Sequence, residues 1–384
     1  MQMIVTILKS FIPSLAIFLA TALITDLVFN SQCLTSSNNM LKALTKEKPG
    51  QKNLDLEYEK LRKKLYQRIE IYEQKIQDQH LLNGMVVNLT TDGKMIDTCD
   101  SLLFSSIRYA ALNKLGYEET SQNAWNHIKK SNSLGKWYRH PECKSGTSRD
   151  MMVGLLIALS QKPEESYDLL NQFFSYIDDS SGFFGDGPMY VSYLTPGLAE
   201  SFRRISKVYS IDDHPGVIKK SFSTMEMDIF FTSRGYTSHL IALQVWVEME
   251  IMKLYEESGL WRGPRSVLWE VANVLSPWTA ENMYQQRHLW ITQKLVERDP
   301  KNLFFRWLRV QAGGANSKVM QLSMLRELLS MPQFPEQDLP KNCDRKADYL
   351  WQRSSDEFSP TSKDCTMQFN GVDFLWMAAL IDKT

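Results

Sequence analysis

A periodic pattern of apolar residues runs through the segment 54–80. Its apolar positions follow one another at spacings of three or four residues: Leu54, Tyr58, Leu61, Leu65, Ile69, Tyr72 and Ile76. Such spacing places these side chains along one narrow stripe of an α-helix, with polar residues on the other faces. The stripe suits either a coiled-coil stalk or a helix laid against a larger domain. Because it lasts for only about three heptads, we favour the second interpretation.

The remainder of the chain, residues 81–384, alternates helix-length apolar patterns with polar loops that contain Gly or Pro. This alternation predicts about a dozen helices and few strands, which is typical of an all-α domain. One exception is the stretch 84–97, where the turn signal Asp92-Gly93 separates two runs of apolar or β-branched residues. This stretch is predicted to form a small β-hairpin.

The first 30 residues form a hydrophobic segment. Residues 11–29 carry a single charge and are long enough to cross a bilayer as a helix. With Lys9 in front, residues 1–30 are interpreted as a signal peptide or an uncleaved membrane anchor, and the polar residues 31–53 as a linker. We therefore expect an extracytoplasmic domain, periplasmic or secreted, with the membrane as partner of the N-terminal segment. Four lysines soon after the hydrophobic run argue for the opposite orientation, because positive charge favours the cytoplasmic side.

Besides Cys33, four well-separated cysteines follow the hydrophobic segment: Cys99, Cys143, Cys343 and Cys365. An even number of cysteines in an exported domain is what two disulfides require. We favour the pairs Cys99–Cys143 and Cys343–Cys365, and four buried thiols are the alternative. The CxxC and HxxxH spacings of zinc sites do not occur in the sequence, so we expect neither a metal nor another cofactor.

The charge balance bears on the class of partner. The 44 Lys and Arg residues are matched by 44 Asp and Glu residues, so no net positive field is available to hold DNA or RNA. Nucleic acid is therefore not an expected partner. The sequence also lacks a P-loop, a nicotinamide-binding glycine motif and the Gly-x-Ser-x-Gly turn of serine hydrolases.

Several predicted helices begin with a polar cluster and then become strongly apolar, as in DTCDSLLFSSI (97–107), GTSRDMMVGLLIAL (146–159) and SRGYTSHLIAL (233–243). Helix capping explains part of this pattern, since Ser, Asn and Asp are preferred at helix N-termini. Capping does not explain the Trp, Tyr, Arg and His residues nearby, for example in WYRHPEC (137–143) and GFFGDGPMY (182–190).

This organisation resembles the six-hairpin glycosidases, a superfamily of (α/α) toroids that includes glycoside hydrolases and polysaccharide lyases. The similarity is one of organisation over residues 84–384. It implies an (α/α) toroid, or barrel of helical hairpins, in which the N-termini of the inner helices converge on a cleft. It also implies that the cleft holds a polysaccharide or oligosaccharide and that carboxylates act there as acid and base.

Three aspartates carry the catalytic prediction. Glycoside hydrolysis needs one protonated carboxyl group and one ionised carboxylate, and the resemblance implies Asp100 as the acid and Asp150 as the base. Asp97 is expected to share a helical face with Asp100 and to tune its proton affinity. The structural alternative is that Asp97 or Asp100 caps a helix and that Asp150 pairs with Arg149 or Arg139.

Substrate binding is predicted for an aromatic loop and for residues near other helix starts. Trp137 and Tyr138 offer faces on which a sugar can stack, and Arg139 offers a forked donor. Further candidates, each with a structural role as its alternative, are Arg149, Asp186 in a Gly-Asp-Gly turn, and the helix-opening pair Tyr236 and His239. In contrast, the apolar stretch 240–255 is interpreted as core, with Glu248 and Glu250 facing outward or at a cleft rim.

The sequence therefore predicts a glycan-active enzyme, a glycoside hydrolase or a polysaccharide lyase. A lyase would use Tyr236 or His239 as its base and Arg139 to neutralise a uronate. One alternative is a glycan-binding or envelope-assembly protein without a working acid–base pair. The other is a membrane-tethered structural or interaction protein that recruits partners through the stalk.

Overall fold

The structure is a computed structural model. It describes residues 51–93, 96–97, 100–142, 147–161, 165–184, 194, 196–211, 236–258, 280–313, 318–331, 334–341 and 365–383. Residues 1–50 lie outside this set, and with them the predicted signal peptide or anchor and most of the linker. Within the described ranges, no helix is both long enough and apolar enough to cross a membrane.

The described part of the chain is mostly helical, as predicted. Its α-helices are α1 (Gln51–Gln79), α2 (Ser101–Leu115), α3 (Glu118–Ile128), α4 (Arg149–Leu159), α5 (Ser166–Asp179), α6 (Pro196–Val208), α7 (Tyr236–Ser258), α8 (Ala280–Arg298), α9 (Leu303–Ala312), α10 (Lys318–Ser330) and α11 (Val372–Asp382). The short strands are β1 (Leu81–Leu82), β2 (Met85–Val86), β3 (Asn88–Thr90), β4 (Ile96–Asp97), β5 (Asn132–Ser133), β6 (Lys136–Trp137) and β7 (Met367–Gln368).

The strands form three small antiparallel sheets. The predicted hairpin is confirmed in the pairing of β3 with β4, where Asn88 lies opposite Asp97 and the Asp92-Gly93 turn connects the strands. Strand β7, from near the C-terminus, joins the other edge of β3 and gives the order β4-β3-β7. The sheet therefore holds the start of α11 near the start of α2, because each helix follows one of its strands within a few residues.

Helix α1 packs on the helical body along its predicted stripe. Leu65, Ile69 and Ile76 are fully buried, and the ring of Tyr72 stacks on Phe374 of α11 with centroids 4.2 Å apart. The compact unit of the structure accordingly runs from Tyr58 to Thr384, and a second unit, Met1–Glu57, is described only from residue 51. From Tyr58 onward, the helix has the packing expected of one that lies against a domain.

The core is built around α2, which packs against α3, α4 and α11. Apolar residues cover nearly every face of α2, α4 and α11, so these helices are buried on all sides rather than along one stripe. Helices α3, α5 and α9 show a clearer division into a buried and an exposed face. Of the amphipathic helices, α3 thus covers one side of α2, and α9 contacts α11.

Candidate functional site

Helices α2 and α4 approach each other closely near the start of α2. Gly154 of α4 lies so close to Leu103 of α2 that an added Cβ would be 2.7 Å from the Leu103 Cα atom. Further along both helices, the Tyr209 hydroxyl donates to the Leu159 carbonyl at 2.7 Å, and burial together with this same Tyr209 raises the pKa of Tyr109. Tyr209 thus interacts with residues further along both helices, as expected for helices that run in the same direction.

This close approach brings the starts of two predicted site helices near each other. Asp100 immediately precedes α2, and Asp150 lies in the first turn of α4. Arg139 belongs to the same end, because its carbonyl accepts a hydrogen bond from the Leu102 backbone at 2.8 Å. Its guanidinium Nη1 also lies 3.5 Å from Asp100 Oδ1. The structure thus brings Asp100 and Arg139 into contact and places Asp150 at the same end.

Neither aspartate acts as a simple side-chain cap. Asp100 occupies the N-cap position of α2 without a side-chain capping hydrogen bond. Asp150 is buried and its Oδ1 accepts a hydrogen bond from the Ser148 hydroxyl, while Arg149 beside it is exposed. The expectation that Asp97 and Asp100 share a helical face was wrong, because Asp97 lies in strand β4 and the helix begins only at Ser101. The Asp97 side chain is outside the described part.

Of the two aromatic side chains that were predicted to stack on a sugar, Trp137 and Tyr138, only one is accessible. Trp137 is 2% exposed, so its ring is enclosed by the protein and does not present a stacking face. The reason is that its β5–β6 hairpin packs on α5, where Gly135 lies against the backbone of Gln172. Tyr138 is half-buried, and the Lys136 ammonium group lies 5.1 Å from the centre of its ring. The structure therefore leaves Tyr138, rather than Trp137, as the candidate for contact with a ligand.

His239 is enclosed in the core, which conflicts with a role as a proton shuttle. Helix α7 begins at Tyr236, as predicted, but the Tyr236 side chain and all of Asp186 lie outside the described residues. The His239 ring is 0% exposed and packs 5.0 Å from the Phe305 ring centre, and among the described residues neither ring nitrogen has a hydrogen-bond partner. Burial lowers its pKa well below the ordinary value, so the ring is neutral at pH 7.

We expect His239→Leu to stabilise the fold and to flatten its pH dependence. The folded state binds a proton at His239 less readily than the unfolded state does. The free energy of unfolding therefore falls as the pH drops below about 6.5, the pKa of a histidine in the unfolded chain. Between pH 6.5 and 5, removal of this histidine should lower the slope of the free energy of unfolding against pH by up to about 1.4 kcal/mol per pH unit. Urea denaturation at several pH values measures the slope.

A residual slope of the same sign should remain in the variant. Burial lowers the pKa of His80 to about 4, and His80 is unchanged by the substitution. Equal slopes for the wild type and His239→Leu would contradict the buried neutral state of His239.

A cluster of charged side chains in the interior was missed by the sequence analysis. It consists of Glu200 and Arg204 on α6, Glu248 on α7, and Arg287 and His288 on α8, and we call it the charged cluster. Glu248 is 0% exposed, so the expectation that it faces outward or lies at a rim was wrong. The only signal in the sequence is a glutamate within an otherwise apolar helical run.

Electrostatic partners keep Glu248 ionised in this position. Burial alone would raise its pKa, but the hydrogen bond from His288 and the positive charges of Arg287 and Arg204 outweigh burial and lower it. His288 Nε2 lies 3.0 Å from Glu248 Oε2, and the ionised carboxylate accepts this hydrogen bond. The charged cluster is thus a set of mutually stabilised ions inside the helical body.

Metal and disulfide predictions are tested only within the described residues. There, no group of three or more His, Cys, Asp or Glu side chains is placed to hold a metal ion. Cys365 is the one cysteine in the described ranges, and it is disulfide-bonded. Its partner cysteine lies outside those ranges, so the pairings Cys99–Cys143 and Cys343–Cys365 stay predictions.

No protein-family model matches the chain, and no curated protein matches its sequence at a significant level. The resemblance to the six-hairpin glycosidases accordingly stays a prediction from the sequence pattern.

Proposed function

We propose that this protein is a glycan-active enzyme, a glycoside hydrolase or a polysaccharide lyase, built on an (α/α) toroid. The close approach of α2 and α4 is the observation that supports the proposal, because Leu103 and Gly154 meet within about one helical turn of Asp100 and Asp150. In an (α/α) toroid the inner helices run in parallel, and their N-termini surround the cleft. The buried helices α2, α4 and α11 fit the inner positions, and the amphipathic helices α3 and α5 fit the outer positions.

The proposed chemistry uses the residues at this end. A glycosidic bond is broken when one carboxyl group protonates the leaving oxygen and a second carboxylate attacks the sugar or activates water. In the proposal Asp100 is the acid and Asp150 the base, and Arg139 and Tyr138 bind the substrate. For a lyase, Arg139 would neutralise the uronate carboxylate. The membrane anchor or signal peptide in residues 1–30 would hold or deliver the domain outside the cytoplasm.

We expect Asp100→Asn and Asp150→Asn each to lower the turnover number about 100-fold or more. General acid–base catalysis typically contributes a factor of about 10²–10⁴, and the amide keeps the size of the side chain while removing the titrating group. Turnover is measured as reducing-end release, and as absorbance of unsaturated product, over a panel of envelope and capsule polysaccharides. Melting temperatures should change little, since asparagine keeps an oxygen that can accept the hydrogen bonds of the aspartate.

Asp168→Asn is the matched control. Asp168 also lies in the first turn of a helix, α5, but it is exposed and distant along the chain from both aspartates. Its substitution should leave turnover unchanged. If all polysaccharides remain intact with the wild-type protein, the enzymatic proposal fails. A large loss of melting temperature in Asp100→Asn or Asp150→Asn would instead assign a structural role to that aspartate.

Non-catalytic glycan binding is the second candidate function. The observation that favours it is that each carboxylate already has a protein partner, Arg139 for Asp100 and Ser148 for Asp150. An enzyme would have to exchange these contacts for contacts with substrate during the reaction, whereas a binding protein would keep them. In this case Asp100→Asn would retain affinity for a polysaccharide that the wild type binds but does not cleave.

A further inference from the structure

The charged cluster joins three helices through contacts between ionised side chains. An Arg204 guanidinium nitrogen donates to Glu200 within α6, and Arg287 Nη1 of α8 lies 4.0 Å from Glu200 Oε2 and 3.7 Å from Glu248 Oε2. Because one nitrogen is near both oxygens, the two carboxylate oxygens are no more than about 8 Å apart, within the separations of paired carboxylates in sugar-processing sites. The cluster is therefore a compact polar region that draws on α6, α7 and α8.

Such a cluster costs stability compared with an apolar core of the same shape. Each buried ion loses several kcal/mol of hydration, and ion pairing only partly offsets the loss. The two carboxylates, Glu200 and Glu248, are balanced by the two guanidinium groups of Arg204 and Arg287. A charged ligand at this place would disturb the balance, whereas a neutral one would not.

Several polar atoms of the region remain without a hydrogen bond in the part of the chain that the structure describes. They include Glu200 Oε2, Glu248 Oε1 and Gln244 Nε2, on residues that are each more than nine-tenths buried. Gln244 lies one turn before Glu248 on α7 and therefore shares its face. Buried polar groups normally have partners, and an unsatisfied one costs about 1–3 kcal/mol. Two open acceptors and one open donor match hydroxyl groups, which both donate and accept.

The exposed fraction of the side chains decreases from one side of the charged cluster to the other. The side chains of Arg287, Glu200 and Arg204 are 12%, 9% and 8% exposed, whereas His288 and Glu248 are 4% and 0% exposed. The outer members thus reach solvent, and the Glu248–His288 pair lies deepest.

We propose that the charged cluster, with Gln244, is a binding site for a neutral polyhydroxylated compound such as a sugar. Hydroxyl groups on such a compound would donate to Glu200 Oε2 and Glu248 Oε1 and accept from Gln244 Nε2. Charge balance excludes uronates and amino sugars as preferred ligands. The choice of a sugar among polyhydroxylated compounds rests on the proposed function, whereas the site itself follows from the open polar atoms.

Titration calorimetry with the full chain tests the site. The probes are the neutral sugars glucose, galactose, mannose and N-acetylglucosamine, with glucuronate and glucosamine as charged counterparts. We expect at least one neutral sugar to bind, and the affinity of its charged counterparts to be lower by a factor of about ten or more. Glu248→Gln and Gln244→Met should each weaken binding about tenfold or more, as expected for loss of a hydrogen bond to a buried group.

Glu250→Gln is the matched control. Glu250 lies on the same helix and is paired with Lys114 and Lys253 at 2.7 and 2.8 Å, outside the cluster. It should bind as the wild type does. Gln244→Met breaks no ion pair and keeps the side-chain volume, so it decides the result if Glu248→Gln does not fold.

Three outcomes would overturn the site: no neutral sugar binds, charged sugars bind as well as neutral ones, or Gln244→Met binds as the wild type does. None of these depends on turnover. A wild-type protein that binds a neutral sugar but cleaves no polysaccharide would remove the proposed enzymatic function and leave the binding site in place.

Discussion

Arg108→Met is expected to lower the free energy of unfolding by about 3–5 kcal/mol, the usual cost of leaving one partner of a buried ion pair without the other. Arg108 of α2 and Glu73 of α1 are both buried. The guanidinium binds the carboxylate through two nitrogens, with Nε 3.0 Å from Oε2. Methionine fills similar space but leaves the Glu73 carboxylate in the interior without a counter-charge. Urea denaturation of wild type and variant, followed by circular dichroism, measures the difference.

Two further variants separate this effect from a general loss of charge. Lys294→Met breaks the exposed pair with Glu297, whose side chains are 38% and 48% exposed, and should cost less than about 1 kcal/mol. The double variant Glu73→Met with Arg108→Met should recover most of the loss, because neither charge is then left alone. If Arg108→Met cost no more than Lys294→Met, the pair would not be buried in solution.

The packing of α1 shows how far sequence reasoning reaches in this fold. The apolar stripe is read directly from the spacing of residues along one helix, and the structure buries Leu65, Ile69, Tyr72 and Ile76 as that spacing predicts. The pairing of Glu73 with Arg108 was not predictable in the same way. The two residues are on different helices, and local spacing carries no information about which helices become neighbours.

In the candidate site too, local sequence predicts some features, whereas others depend on the packing between helices. The starts of α2 and α4 follow from local polar-to-apolar transitions, and so does the position of Asp100 and Asp150 at helix starts. Burial does not follow from residue type: Trp137 looks like a ligand-binding residue on a polar loop, yet its hairpin folds onto α5. The charged cluster is the converse case, because Glu248 stands in an apolar run and finds its partners only through the packing of three helices.

Gly154→Ala is expected to destabilise the protein by about 1–3 kcal/mol, although the same change in an ordinary helix interior stabilises by about 1 kcal/mol. The sign is reversed by the contact with α2. A Cβ at position 154 would be 2.7 Å from the Leu103 Cα atom, and a backbone atom cannot turn away as a flexible side chain can. The two helices would have to separate. Gly313→Ala, at the end of α9, is the matched control, because there the nearest atom is the mobile tip of Arg309.

Gly154→Ala should also affect the proposed chemistry. Asp150 lies one turn before Gly154, so a helix that moves away from Leu103 carries Asp150 away from Asp100 and Arg139. Misplacement of reacting groups by about 1 Å can cost about 100-fold in rate. We therefore expect Gly154→Ala to lower turnover of any polysaccharide substrate more than Gly313→Ala, even at temperatures where both variants are fully folded. A Gly154→Ala protein that is more stable than the wild type would show that α2 and α4 do not approach so closely. The shared position of the two aspartates would then lose its structural basis.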